Sequence, residues 1–173
     1  MASPIRESFP DPTAFGPLGR RTGVRLSCAH LALMGMYSAA LEALHLTPGR
    51  VLALAYVLQH PGSDQSSLSR ALAVNRASAM TLVDRLEELE YLRRKPGSDR
   101  RSNALHVTEK GAAALERAQQ LGEEGFEKVL FGWMDDPTRA TFHRLLDQIL
   151  VRAREAGAGT DESSAPRGSA RAG

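Results

Sequence analysis

Hydrophobic residues along the chain fall into helical stripes separated by helix-breaking residues. Between residues 24 and 46, apolar side chains recur at spacings of three and four, which predicts a long first helix. Thr47 and Pro48 supply an N-cap and a first-turn proline for a second helix, which we expect to end near Pro61 and Gly62. The ordered part of the chain is therefore expected to begin with two consecutive helices.

A helix-turn-helix pattern follows these two helices. Ser63 or Asp64 can cap a short third helix, and Asn75 is a natural N-cap for a fourth helix over residues 76–90. On a helical wheel, the apolar side chains of the fourth helix share one face, which we expect to pack on the core. Two short alternating runs, at residues 91–95 and 104–107, then flank a Pro-Gly-Ser-Asp turn and predict a β-hairpin.

The fourth helix carries its exposed acids only in its second half, at Asp84 and Glu88. DNA phosphates would repel these acids if the helix lay lengthwise in a groove. The first half, from Asn75 to Thr81, has small side chains and no acid, and the free N–H groups of a helix N-terminus favour phosphate. We therefore expect the first half to enter a DNA major groove end-on.

Positive charge is concentrated on the predicted hairpin. The whole chain has 22 basic and 20 acidic residues, a net charge of +2, but residues 93–103 alone hold five cations and one anion, a net +4. An arginine at a protruding tip can reach the narrow minor groove, where the negative potential is strongest. Asp99 stands two residues before Arg101 and can hold its guanidinium by charge-assisted hydrogen bonds.

Two more helices complete the pattern. Thr108 caps a fifth helix that is expected to continue to about Trp133, with a bend or break where glycines weaken it. Asp135–Pro137 open a sixth helix with one narrow apolar seam, which needs either an intrachain core or a partner surface. The glycines are Gly122, Gly125 and Gly132, and the seam consists of Phe142, Leu145, Leu146, Ile149, Leu150 and Ala153.

The two ends of the chain differ from the middle in composition. Residues 1–20 contain four prolines and residues 156–173 are mostly small or polar, so we expect a disordered arm and a disordered tail. There is no secretory signal pattern and no run of about 18 consecutive apolar residues. Cys28 is the only cysteine, so an intrachain disulfide is impossible. These features favour a soluble cytoplasmic protein without a membrane partner.

Signals for catalysis and for bound cofactors are missing from the sequence. We find no Ser/His/Asp or Cys/His set, no glycine-rich phosphate loop and no paired-acid motif, so we expect no enzyme and no cofactor. The five histidines are scattered without an i,i+4 pair, and Cys28 and His30 point apart on a helix, so we expect no metal site.

The chain resembles the MarR family of winged helix-turn-helix transcriptional regulators. The resemblance covers about residues 24–155. It is carried by the segments L-T-P-G-R-V-L-A-L, V-N-R-A-S-A-M-T-L-V-D-R-L-E, Y-L-R-R-K-P-G-S-D-R-R-S-N and L-H-V-T-E-K-G. One departure is Ala73, which stands in the turn between the third and fourth helices, where many relatives have glycine.

The resemblance implies a mainly α fold with a small β-hairpin, in which a winged helix-turn-helix is joined to a helical dimerisation region. Residues 21–46 and 109–155 would form the dimerisation helices, and residues 47–108 would form the DNA-binding domain. A homodimer would bind a pseudopalindromic operator in double-stranded DNA. Arg101 would enter the minor groove, braced by Asp99. The full set of DNA-binding residues would be Asn75, Arg76, Ala77, Ser78, Thr81, Arg85, Asp99, Arg100 and Arg101.

The function expected from this resemblance is a sequence-specific DNA-binding transcriptional regulator, a repressor that a small aromatic or other organic effector releases. Two alternatives stay open. Some relatives sense oxidants through a cysteine in the first helix, but Cys28 lies about one turn away from the corresponding position and has only Arg25 within one turn, so we expect an inert thiol. The other alternative is a winged-helix module that binds a protein partner through the same hairpin.

Overall fold

The computed structural model describes residues 9–96 and 103–162, with side chains up to residue 157. The chain divides into two compact units, residues 1–129 and residues 130–173. The helices and strands are α1 (Thr22–Leu41), α2 (Pro48–Gln59), α3 (Gln65–Ala71), α4 (Arg76–Glu88), β1 (Leu92–Pro96), β2 (Asn103–Val107), α5 (Glu109–Leu121), α6 (Lys128–Phe131) and α7 (Asp136–Glu162). Mainly helical structure with one antiparallel hairpin in the described ranges confirms the expected fold class.

A single apolar core holds the helix-turn-helix and the hairpin together. Leu54 of α2, Leu68 of α3 and Leu86 of α4 are fully buried, as are Leu92 and Leu105 on the inner face of the hairpin. The predicted apolar face of α4 does point inward, because Ala79, Val83 and Leu86 are completely buried. Each fully buried Leu or Val contributes about 1.5–3 kcal/mol to folding, so this core fixes the positions of the elements around it.

The hairpin pairs in a register that separates its two faces. Leu92 lies opposite Val107, Arg93 opposite His106, and Arg94 opposite Leu105. Since successive side chains of a strand point to opposite faces, Arg94 shares the inner face with the buried leucines, whereas Arg93 lies on the outer face. The hairpin is also attached to the segment before α3, because Leu105 exchanges two backbone hydrogen bonds of 2.9 Å with Gly62 and Ser63.

Part of the N-terminal segment that was expected to be disordered is folded. Residues 12–20 form two short 3₁₀ turns separated by a kink at Gly16, and the Asp11 side chain accepts a hydrogen bond of 2.8 Å from the Thr13 N–H at the start of the first turn. Gly19 packs so closely that a Cβ there would lie 1.7 Å from the Pro12 carbonyl oxygen. The prolines counted as breakers thus start a helix, because proline is well suited to a first helical turn.

The other helix ends also differ from the sequence-based boundaries. Helix α1 ends at Leu41 rather than near residue 46, and a 3₁₀ turn, Glu42–Leu44, leads into His45, which has a left-handed backbone. Helix α7 continues to Glu162, past the expected end at residue 155. Each glycine inside a helix costs only about 1 kcal/mol, so Gly157 and Gly159 do not end the helix. Residues 163–173 of the expected tail lie outside the described residues.

The fifth helix changes its type where a bend or break was expected. Helix α5 ends at Leu121, and the chain continues as a π-helical segment, Gly122–Glu127, before α6. Phe126 of this segment packs against Tyr37 of α1, with ring centroids 4.7 Å apart. Burial raises the pKa of Tyr37 above its ordinary value. A Cβ at Gly122 would lie 3.2 Å from the Phe126 ring, so a small residue allows this packing.

The first helix is unusually apolar for its exposure. Residues 22–44 reach a mean hydropathy of 1.2 over 18 residues, and only 11% of that window is buried. Among the described residues it is the one helix that satisfies a length and hydropathy criterion for a membrane span. Core helices of soluble proteins reach the same length and hydropathy.

Candidate nucleic-acid interface

The N-terminal half of α4 projects from the core with its predicted contact residues exposed. Asn75 is the N-cap, and its Oδ1 accepts a hydrogen bond of 2.8 Å from the Ser78 N–H. This cap stabilises the first turn and leaves other N–H groups of that turn pointing outward. The predicted contact residues on this helix are all exposed: Arg76, Ala77, Ser78, Thr81 and Arg85. The Thr81 hydroxyl donates a hydrogen bond of 3.1 Å to the Ala77 carbonyl, which leaves its methyl group and lone pairs free to face a ligand.

The turn that sets the angle of α4 is built around one buried hydroxyl. Ser69 of α3 is buried, and its Oγ donates a hydrogen bond of 2.7 Å to the Val74 carbonyl. The Val74 N–H donates back to the Ser69 carbonyl over 3.1 Å. Between them, Ala73 adopts a left-handed backbone with φ of 52°. That conformation costs an L-residue roughly 1–2 kcal/mol and suits glycine better, which explains the preference for glycine at this turn.

Helix α3 contributes residues that the sequence analysis missed. Its N-cap, Asp64, accepts a hydrogen bond of 2.7 Å from the Ser67 N–H, and this bond lowers the pKa of Asp64. Gln65 and Ser66 in the following turn share a groove of about 470 Å³ with Arg76, Ala77 and Met80 of α4. The Nε2 of Gln65 is buried and has no hydrogen-bond partner among the described residues. The signal in the sequence was the polar run Gln65–Ser67 directly before Leu68.

The acids of α4 are paired with arginines. Arg85 contacts Glu88 over 2.7 Å, and both side chains are exposed. Arg94 of the hairpin contacts Asp84 through Nη2 and Glu87 through Nη1. Burial disfavours the charged form of Arg94, but the hydrogen bonds to Asp84 and Glu87 outweigh burial and raise its pKa above the ordinary value. The repulsion expected between these acids and phosphate is therefore partly cancelled within the protein.

This pairing corrects the charge that we assigned to the hairpin. All five cations between residues 93 and 103 were counted as available to a ligand, which gave +4. Arg94 instead faces α4 and holds its acids, because strand alternation turns it inward. Arg93 and Lys95 face outward on the other side of the strand and are exposed. The signal for this role is the alternation of the strand, which places Arg94 on the same face as Leu92.

The base of the hairpin is fixed against the start of α5. The Thr108 N–H donates to the Tyr91 carbonyl over 3.1 Å, and the Thr108 hydroxyl donates to the Glu90 carbonyl over 2.7 Å. Lys110 donates a hydrogen bond of 2.8 Å to Glu90, which lowers the pKa of that carboxyl group. A Cβ at Gly111 would lie 2.0 Å from the Tyr91 carbonyl oxygen, so only glycine allows this approach.

Three predicted contact residues lie outside the described residues: Asp99, Arg100 and Arg101. Their assignment therefore stays a prediction from the sequence. The two strands that lead to them are described, and these strands point away from the core beyond Leu92 and Leu105, where burial falls off.

A second groove lies beside this surface. It has a volume of about 430 Å³ and is lined by the end of α1, the start of α2 and Arg85 of α4. Arg50 lies in it and donates a hydrogen bond of 3.0 Å to the His45 carbonyl. The Nε of Arg50 is buried without a hydrogen-bond partner in the described part of the chain. No group of three or more His, Cys, Asp and Glu side chains with metal-binding geometry occurs in the described ranges.

Comparisons with known proteins agree with this geometry. A sequence model of the MarR family matches residues 45–102, which span α2 to the hairpin. A candidate transcriptional regulatory protein for the hcr operon of Thauera aromatica is 32% identical over 121 residues, which cover 68% of this chain and 70% of that protein. The chain belongs to the MarR family. The family predicted from the sequence is thereby confirmed.

Solved structures of MarR-family proteins have the same fold. The transcriptional repressor CouR bound to a 23-mer DNA duplex superposes with a TM-score of 0.68 and 27% identity, covering 80% of this chain and 96% of that one. CouR bound to p-coumaroyl-CoA gives a TM-score of 0.69 and 25% identity, covering 78% and 95%. The proteins that the chain resembles are transcriptional regulators.

Proposed function

We propose that this protein is a sequence-specific DNA-binding transcriptional repressor that acts as a homodimer on a pseudopalindromic operator. The observation that carries the proposal is the capped, exposed and acid-free first half of α4, which projects from a fixed core. Helix N-terminal residues in this position suit contact with base edges and phosphates in the major groove. Gln65 and Ser66 of α3 line the groove of the protein that separates α3 from α4. In this proposal they contact the DNA backbone.

The hairpin supplies the second contact in this proposal. Arg93 and Lys95 are exposed on its outer face, and Arg101 follows in the sequence between the two strands. We assign Arg101 to the minor groove, with Asp99 orienting it and Arg100 beside it. The two DNA-binding domains of a homodimer would contact two operator half-sites about one turn of the DNA helix apart. The exposed seam of α7 supports the homodimer, because Leu145 and Ile149 remain accessible in the single chain.

Release by a small organic effector is part of the same proposal. The relative CouR has been solved bound to p-coumaroyl-CoA as well as to a DNA duplex, which supports an organic effector for this chain. Genes that neighbour the operator would indicate the compound. Cys28 is buried, which favours the inert thiol expected from the sequence over an oxidant sensor.

The test starts with genome-wide recovery of DNA bound to the protein, followed by anisotropy titrations on the recovered operator. Arg76→Ala and Arg101→Ala should each weaken binding by about 1–3 kcal/mol, because each removes a base or phosphate contact. Arg117→Ala on the exposed face of α5 removes the same charge elsewhere and serves as the matched control. Circular dichroism should show all three variants folded.

Salt dependence separates this proposal from a protein-binding module. The logarithm of the DNA affinity should fall steeply with the logarithm of the salt concentration, and each lost phosphate contact should lower the slope by about 0.9. A flat salt dependence, together with unchanged affinity for Arg76→Ala, would favour a module that binds a protein partner through the hairpin.

A further inference from the structure

Arg94 makes a connection between the two proposed DNA-contacting elements. Its guanidinium contacts Glu87 through Nη1 and Asp84 through Nη2, and its backbone N–H donates to Glu87 Oε1 over 3.1 Å. The side chain is only 22% exposed, in contrast to its neighbours Arg93 and Lys95 on the same strand. One residue of β1 is thus attached by main chain and side chain to two successive turns of α4.

The geometry of this connection suits an orienting role. A guanidinium is a planar fork, so contact with two carboxylates fixes both its position and its direction, which a single flexible ammonium group does not do. Partial burial reduces the screening that makes most surface ion pairs weak. The hydrophobic contacts of Leu92 and Leu105 alone would fix the depth of the hairpin but not its rotation against α4, because apolar packing is not directional.

We propose that Arg94 is a positioning residue that fixes the angle between the hairpin and α4, so that both elements contact one DNA duplex at the same time. This inference rests on the proposed DNA-binding function. Arg94 faces inward, and it acts through the orientation of the strands rather than by contact with DNA.

The single variant Arg94→Ala would not separate the positioning role of Arg94 from a change in charge repulsion. It would leave Asp84 and Glu87 unpaired on the helix that approaches phosphates, so repulsion alone would weaken binding. The triple variant Arg94→Met, Asp84→Asn and Glu87→Gln removes both ion pairs of the guanidinium without leaving an unpaired acid, and the amide side chain of Glu87→Gln can still accept the backbone hydrogen bond from residue 94. Arg93→Met is the matched control, since it changes the adjacent arginine on the outer face.

The measurement is a pair of footprints on the recovered operator. Dimethyl sulfate reports protection of guanine N7 in the major groove, and hydroxyl radicals report protection of the minor groove. The triple variant should keep the major-groove protection, lose the minor-groove protection and bind roughly tenfold to hundredfold more weakly. Arg93→Met should keep the protection of both grooves. Any loss of affinity should come only from the lost attraction between this positive charge and the DNA phosphates.

A second variant covers the case in which the triple variant does not fold. Arg94→Lys keeps the charge but loses the fork, so it should also show weaker minor-groove protection than the wild-type protein. Full minor-groove protection in the triple variant would overturn the inference, and so would full protection in Arg94→Lys if the triple variant does not fold. Absence of any specific footprint with the wild-type protein would instead refute the proposed function, so the two failures are distinguishable.

Discussion

The core around the hairpin and the last helix use the same kind of residue in opposite ways. Leu54, Leu86 and Leu105 are completely buried within the first compact unit. In α7, Leu145 is 51% exposed, Ile149 46% and Leu150 54%. Both regions have regular apolar periodicity, yet only the apolar residues of the first region are buried by other residues of the same chain. Periodicity therefore shows that a face will be buried, but it does not show whether the chain itself buries it.

This difference separates two kinds of stability. The core around the hairpin obtains its stability from intrachain packing, which does not depend on protein concentration. The seam of α7 gains stability only when a second surface covers it, so its contribution depends on concentration. The predictions that follow test this separation, beginning with the substitution that should have the largest effect.

Leu86→Ala should lower the free energy of unfolding by about 2–5 kcal/mol, because it leaves a cavity in a fully packed core. Urea denaturation at two protein concentrations measures the loss, which should be the same at both. Leu150→Ala is the matched control on α7, and its effect should grow when the protein is concentrated enough to dimerise. A concentration-dependent loss for Leu86→Ala would show that the first unit is not self-sufficient.

Replacing Leu145 and Ile149 together by Asp should weaken dimerisation by about 2 kcal/mol or more, since charges would be placed at the centre of an apolar contact. Analytical ultracentrifugation over a range of concentrations gives the dissociation constant. Arg144→Asp, on the opposite side of the helical wheel, is the control and should dimerise like the wild-type protein. An unchanged dissociation constant for the double variant would place the dimer contact elsewhere.

Ala73→Gly should raise the free energy of unfolding by up to about 1 kcal/mol, because glycine relieves the left-handed strain at the turn between α3 and α4. The greater freedom of glycine in the unfolded chain offsets part of this gain. Thermal denaturation measures the change, with Ala71→Gly at the last residue of α3 as the control, which should destabilise because its backbone is helical. A lower melting temperature for Ala73→Gly would mean that the turn is held by Ser69 without strain.

Much of the fold could be predicted because its signals are local. The caps at Thr47, Asn75 and Thr108 each accept the hydrogen bond that the sequence suggested, from the N–H three residues on. The hairpin strands differ from the expected ranges by about one residue. Short-range periodicity and capping depend on neighbours within four residues, so one sequence is sufficient to recognise them.

Features that depend on distant neighbours were missed. Arg94 meets Asp84 and Glu87, which lie ten and seven residues away, and only the packing of the hairpin on α4 brings them together. The 3₁₀ turns within residues 12–20 are stabilised by the close packing of Gly19 on the backbone of Pro12. Amino-acid composition does not reveal this contact. The exposed face of α4 can be predicted from its acid-free first half. The proximity of Gln65 and Ser66 to that face cannot, because it depends on how α3 packs against α4.

The two backbone hydrogen bonds between Leu105 and the Gly62–Ser63 segment have a consequence for solubility. An uncovered strand edge offers unpaired N–H and C=O groups to other molecules and promotes aggregation. Here the middle of β2 has no such groups to offer, because β1 occupies one side and the loop before α3 occupies the other. This coverage at Leu105 lowers the tendency of β2 to pair with a strand of another molecule.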